Sequence, residues 1–213
     1  DSLRKAVQQY DEISKYPESY ITISAFLDKG RCLEKLGEKQ QAESAYKVII
    51  DKFKIRVEAS IQEKSKNLVQ KAKNVISKYE SVFGKDSSDP NYNSYLNQAK
   101  SLEESKQDNW FDILVMYDKA IFTKNDYWYQ QKASGETTKA LQEAEKALKE
   151  YENESFDFIK NVNMGRKYEK DGDWDSALRY YNRAIKFEFL PDMEQYDEAQ
   201  LRLSQMNSGK FES

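Results

Sequence analysis

The chain has 213 residues, a formal net charge of −3, no histidine and a single cysteine, Cys32. These counts exclude an internal disulfide, a thiolate metal cluster and any Ser–His or Cys–His nucleophile, and they give no long-range attraction to nucleic acid or anionic lipid. Hydrophobic residues make up 38% and charged residues 33%, yet 10 Phe, 15 Tyr and 3 Trp argue for a folded helical array rather than disorder.

Residues 1–14 read as the second helix of a pair whose first helix is cut off or lies upstream. Asp1 in place of Met implies that something was removed: an export signal, a lipoprotein leader or a truncated segment. "KYPES" at 15–19 is a turn, where Pro17 stops helix propagation. Residues 20–36 and 39–53 form the clearest hairpin. From Arg56 to Tyr79 the pattern is periodic, lysine-rich and without a turn signal, so one long helix and two joined helices both fit. Glu58, Glu63 and Glu80 dilute the lysines, which reads as a solvated face rather than a phosphate or lipid patch.

"GKDSSDPN" at 84–91 is the strongest boundary: Gly84 suits a helix C-cap, Asp89 an N-cap and Pro90 the first helical position. Helices are expected at about 90–106 and 109–122. Three consecutive aromatics, Tyr127, Trp128 and Tyr129, then precede a turn at Gly135. They cannot all face one helix stripe, so they serve as an inter-repeat plug or as a partner-binding anchor. "KALQEAEKALKEY" is a helix, the last hairpin spans about 156–188, and Pro191 opens a charged terminal helix that would shield the array's last apolar face. The tail from Asn207 is expected to fray. The domain reading is 1–85 and 86–213, within one continuous solenoid.

The chain repeats itself. "KQDNWFDILVMYDKAI" from Lys106 and "KDGDWDSALRYYNRAI" from Lys170 share six identities. Their common figure places three side chains on one helix stripe: Ile113, Tyr117, Ala120 and Ala177, Tyr181, Ala184. It recurs as Ala6, Tyr10, Ile13 and as Ala42, Tyr46, Ile49, with weaker copies at Val75, Tyr79, Val82 and at Ala144, Leu148, Tyr151. The mean spacing is about 34 residues, the period of a two-helix repeat.

In "DKGRCLEKLGEKQQAESAY" and "NMGRKYEKDGDWDSALRYYNRAI" the small, large and turn residues fall at the offsets of the tetratricopeptide repeat, and here the chain resembles that family. The matching positions are Gly30, Leu33, Gly37, Ala42, Tyr46 and Gly165, Tyr168, Gly172, Trp174, Ala177, Tyr181, Ala184. Phe26 and Asn161 stand where the family prefers Trp. The resemblance implies an all-α, right-handed superhelix of about five hairpins with a C-terminal capping helix. It also implies a concave wall lined by first helices. Carried over residue by residue, that wall holds Ser24, Leu27, Arg31 and Glu34; Tyr95, Gln98, Leu102 and Ser105; and Ile159, Val162, Arg166 and Glu169. The carboxylate clamp of chaperone-binding relatives needs Lys and Asn where Leu27 and Arg31, or Val162 and Arg166, stand, so that activity is not implied.

Residues 10–53 are similar to the tandem repeats of bacterial envelope proteins, among them outer-membrane assembly lipoproteins and Tol–Pal-associated coordinators. That likeness implies a periplasmic or outer-membrane-associated scaffold, possible lipid tether included, with a cytoplasmic location as the alternative. The functional expectation is a non-enzymatic scaffold holding a helix or extended segment of another protein. The alternative is a ligand-binding component that assists a periplasmic solute transporter.

Other constellations have plainer readings. Asp171, Asp173 and Asp175 begin a calcium-loop spacing, but Ser176 and Asn182 occupy the places that need Gly and Glu, so turn and cap duty is expected. The seven glycines form no phosphate loop. Pairs such as Glu103/Glu104 and Asp192/Glu194 lie on charged faces, and Cys32 reads as a small core hydrophobe. No cofactor, metal, nucleic acid or membrane span is expected.

Overall fold

A computed structural model describes residues 2–16, 20–85, 89–105, 109–135 and 138–208. Every regular element among them is helical: α1 (Ser2–Ile13), α2 (Tyr20–Lys35), α3 (Lys39–Phe83), α4 (Pro90–Glu104), α5 (Trp110–Ser134), α6 (Lys139–Lys170), α7 (Trp174–Ile185), a 3-10 turn (Phe187–Phe189) and α8 (Met193–Asn207). The all-α class expected from the periodicity holds. The Pro17 turn and the tail beyond Ser208 lie outside the described residues.

Helix ends follow their local chemistry. Gly37, Gly84 and Gly172 close α2, α3 and α6 at φ 76°, 80° and 79°, values that disfavour any residue with a Cβ. After α2 the Gly37 N–H donates to the Glu34 carbonyl and the Glu38 N–H to that of Leu33, both at 2.9 Å. After α6 the same pair of bonds links Gly172 to Glu169 and Asp173 to Tyr168. Both turns are Schellman motifs, so the sequence repeat is also a backbone repeat. Asp89 caps α4, accepting from the Asn91 and Tyr92 N–H groups, with Pro90 at the first position. Asp173 accepts from the Ser176 N–H at 3.0 Å, which gives the Asp171–Asp175 stretch its turn-and-cap role.

Three expectations change. The Arg56–Tyr79 stretch joins the helix before it, giving a 45-residue α3. No Gly or Pro falls between Lys39 and Phe83, so nothing interrupts the hydrogen-bond ladder. For the same reason "ENES" at 152–155 does not break α6, which runs 32 residues through the place where two helices were expected. Helix α5 continues past 122 to Ser134 and carries the aromatic triplet within it.

The described chain forms two compact units, Asp1–Glu58 with Lys186–Ser213, and Ala59–Ile185. Helix α3 ends at Phe83, next to the expected 85/86 boundary. In the first unit, α2 and the start of α3 close over Gly30, where a Cβ would overlap the Tyr46 ring. Phe53 stacks on Tyr196 of α8 at 4.0 Å and meets Phe187 edge-on at 5.2 Å. The terminal helix is therefore present as expected, and the surface it covers is that of the first hairpin. The buried Asp192 carboxylate pairs with Arg56 at 2.9 Å.

In the second unit, α6 and α7 repeat the Gly–Tyr closure with Gly165 and Tyr181. The expected stripes are its core: Val75, Tyr79, Ile113, Tyr117, Ala120, Ala144, Tyr151, Ala177 and Tyr181 are all buried. Each large side chain among them contributes about 2 kcal/mol of apolar burial.

Candidate interaction surfaces

Each sequence-predicted groove residue is placed here within its own unit. On α2, Leu27 is buried, and Arg31 and Glu34 are engaged by α8. The Arg31 guanidinium forks onto the Glu198 carboxylate, its Nε donating to Oε1 at 3.0 Å and its Nη2 to Oε2. Arg202 reaches back to Glu34 at 3.2 Å, and the Lys39 ammonium donates to the Met206 carbonyl at 2.8 Å. Charge-assisted forks of this kind fix register as well as energy. The hydrogen bond from Arg31 holds the Glu198 carboxyl below its ordinary range, and the same bond raises Arg31. The chain's own terminal helix thus lies where the resemblance placed a partner.

The candidates on α4 and α6 have partners of their own. Tyr95 carries the Lys119 ammonium over its ring at 5.7 Å, and Gln98 is exposed, donating to the Ser94 hydroxyl at 3.0 Å. Val162 is fully buried. Arg166 lies over the Phe111 ring at 4.5 Å and contacts Asp112 at 3.3 Å, while Glu169 accepts from the Tyr181 hydroxyl at 2.6 Å. These last three serve the packing of their own hairpin and its neighbour α5.

The aromatic triplet divides three ways. Trp128 stacks on Tyr79 of α3, 4.2 Å between centroids and 10° between planes, and is buried. Tyr127 lies under the buried Lys124 ammonium at 4.8 Å. Tyr129 is 72% exposed. Trp128 is a plug between helices, and Tyr129 alone faces solvent. Cys32 is half-buried rather than fully enclosed.

Sequence reasoning missed a trough of about 670 Å³ between α5 and α6, lined by Asp118, Ile121, Phe122, Tyr151, Glu152, Phe156 and Ile159 among others. Phe122 is 81% and Phe156 70% exposed, unusual for aromatics in a folded chain. Below them the Tyr151 hydroxyl donates to Asp118 at 2.8 Å. Burial raises the Asp118 carboxyl, and burial followed by the nearby Asp118 charge raises that of Glu152. The signal was legible: Phe122 and Phe156 are large aromatics off the stripes defined by Tyr117 and Tyr151. Ile159 is the one groove position of the last unit that lines this trough.

Among the described residues no helix is long and apolar enough to cross a membrane. A family model for the tetratricopeptide repeat matches residues 24–54, spanning α2, its glycine turn and the start of α3. No curated protein and no solved structure matches the chain.

Proposed function

We propose that this chain, which carries a tetratricopeptide repeat at residues 24–54, is a non-enzymatic scaffold that binds a protein partner along its helix surfaces. The observation that carries this reading is the pair of exposed phenylalanines, Phe122 and Phe156, held on two rigid helices beside an open trough. Apolar side chains presented this way lose water when a partner covers them, which is where interface energy concentrates. The exposed Gln98 and the half-buried Tyr95 on α4 supply a second position for contact.

The resemblance read from the sequence of residues 10–53 to envelope repeat proteins is the ground on which we propose a role in assembling a bacterial cell-envelope complex. A ligand-binding transport component would need an enclosed aromatic pocket, for which Tyr127–Tyr129 are the candidate residues. Trp128 and Tyr129 do line a cavity of about 360 Å³, but Trp128 lies flat against Tyr79, and the scaffold reading is preferred.

Affinity capture from separated envelope and cytosolic fractions tests the scaffold reading. The wild type is compared with Phe122→Ser/Phe156→Ser and with Tyr95→Ala/Gln98→Ala, each checked for native helical CD. A protein held by the wild type and lost from either variant supports a scaffold, and its fraction of origin decides the envelope role. Retention of nothing beyond bare resin by any form overturns it.

A further inference from the structure

We propose that the trough between α5 and α6 takes a segment of a partner protein in which one arginine or lysine is flanked by apolar side chains. The inference rests on the scaffold reading and names what its surface recognises. Three observations carry it.

The walls are apolar. Ile121 and Phe122 come from α5, and Phe156 and Ile159 from α6, so two helices offer hydrophobic contact on both sides of a docked chain. Both phenylalanines are exposed, so covering them removes apolar area from water.

The floor is acidic and lacks a cation. Asp118 accepts one hydrogen bond, from Tyr151, and among the described residues no lysine or arginine forms an ion pair with Asp118 or Glu152. Lys160 is the only basic residue among the lining, against Asp118, Glu152 and Asp157. Asp118 is half-buried, while Glu152 and Asp157 stand exposed at the trough. A half-buried carboxylate without a cation is costly, and a guest cation relieves it. Burial already pushes both carboxyls upward, against the Tyr151 hydrogen bond at Asp118 and helped by the Asp118 charge at Glu152.

The two features are adjacent. An arginine entering between Phe122 and Phe156 reaches the carboxylates with its fork while its planar group meets aromatic faces. The same charge repels nucleic acid and anionic lipid. The face of α8 that carries Glu194, Asp197 and Leu201 is a weaker candidate, because its Glu198 is already matched by Arg31 and Arg202.

The test uses the full chain and a fluorescein-labelled pool of blocked decapeptides. Each peptide has a central Arg flanked by Leu, Ile or Phe, and matched pools carry Glu or norleucine in its place. Fluorescence anisotropy reads binding. The Arg pool should bind at least about tenfold tighter than the Glu pool, with the gap shrinking in high salt.

Asp118→Asn/Glu152→Gln should remove the preference for Arg over norleucine, whereas Phe122→Ser/Phe156→Ser should weaken both pools. Because Asp118 also holds Tyr151, Glu152→Lys alone is the second variant. It should weaken the Arg pool several-fold while leaving CD and melting unchanged. Absence of any binder in the Arg pool, equal affinity for the Arg and Glu pools, or an unaltered Arg preference in Glu152→Lys overturns the inference. Those outcomes leave the scaffold reading standing if the capture experiment still retains a partner, so the two failures are distinct.

Discussion

Arg31 on α2 and Glu198 on α8 hold each other through two parallel hydrogen bonds, although 167 residues separate them along the chain. The Arg31→Ala and Glu198→Ala variants, with their double, should show a coupling of about 1 kcal/mol in urea unfolding, modest because both groups are partly exposed. The pH dependence has a definite sign. The Glu198 carboxyl is lowered by Arg31, so its contribution is present above the ordinary glutamate value and is lost as pH falls through the lowered one. The protection factors of α8, which remove the intrinsic slowing of exchange in acid, should therefore drop in acid in the wild type and show no such acid step in Arg31→Ala. Equal acid steps in both would remove Arg31 from the account.

That pair also marks how far the sequence can be read. Ala42, Tyr46, Ala177 and Tyr181 were legible because a stripe at steps of four and three has one buried face whatever it packs against. Gly37 and Gly172 were legible because a left-handed turn names its residue. The partner of Arg31 was not, since nothing in the spacing of α8 says which helix it returns to. The continuity of α3 and α6 is written only as missing breakers, and a missing breaker permits a joint as readily as a single helix. The trough was missed for a different reason: its Phe122 and Phe156 lie off the stripe that defined the repeat.

Gly30 and Gly165 are places for a hydrogen and nothing larger. In each, an added Cβ overlaps a fully buried tyrosine ring, Tyr46 or Tyr181, that has no room to retreat. Gly30→Ala and Gly165→Ala should each destabilise by roughly 1–3 kcal/mol, against the gain that Ala ordinarily brings inside a helix. Gly37→Ala meets no neighbour, and its cost of about 1 kcal/mol comes from φ alone. Chemical denaturation midpoints check the order. Neutral alanine variants at 30 and 165 would show that the hairpins separate more easily than their contacts imply.

Trp128 and Tyr129 are neighbours with opposite fates. Trp128→Ala removes a buried ring stacked on Tyr79 and should cost about 3–5 kcal/mol, while Tyr129→Ala, at an exposed position, should change stability by no more than about 0.5 kcal/mol. Intrinsic fluorescence during unfolding gives both numbers. A small effect at Trp128 would return it to the list of partner-binding anchors.

Several core tyrosines make the chain sensitive to alkali. Burial is the leading cause at each: it pushes Tyr79 up to about 12, helped by Glu145 and Glu152, and it raises Tyr46 near Glu34, Tyr117 near Glu103 and Tyr151 near Asp118. A phenol with a raised folded value contributes stability that is complete below its ordinary value near 10 and is lost as pH rises through the folded value. Phenolate absorbance should accordingly appear in two stages, exposed tyrosines first and the core set together with loss of helical CD. A single smooth titration with helicity intact would contradict the burial of these rings.

Asp118 behaves in the opposite sense to Glu198. Burial raises its carboxyl, with the Tyr151 hydrogen bond pulling the other way, so the fold favours the neutral form. A raised carboxylic acid contributes stability below its ordinary value, and that contribution is lost as pH rises through the folded one. Lowering the pH from neutrality should thus strengthen this part of the fold while weakening the grip of the trough on a cationic peptide. Asp118→Asn keeps an acceptor for Tyr151 without a charge, and it should raise the melting midpoint at neutral pH. Its melting should also lose the wild type's gain on mild acidification. A lowered midpoint in Asp118→Asn would mean that the charge already has a stabilising counterpart, and the case for a guest cation in the trough would fall with it.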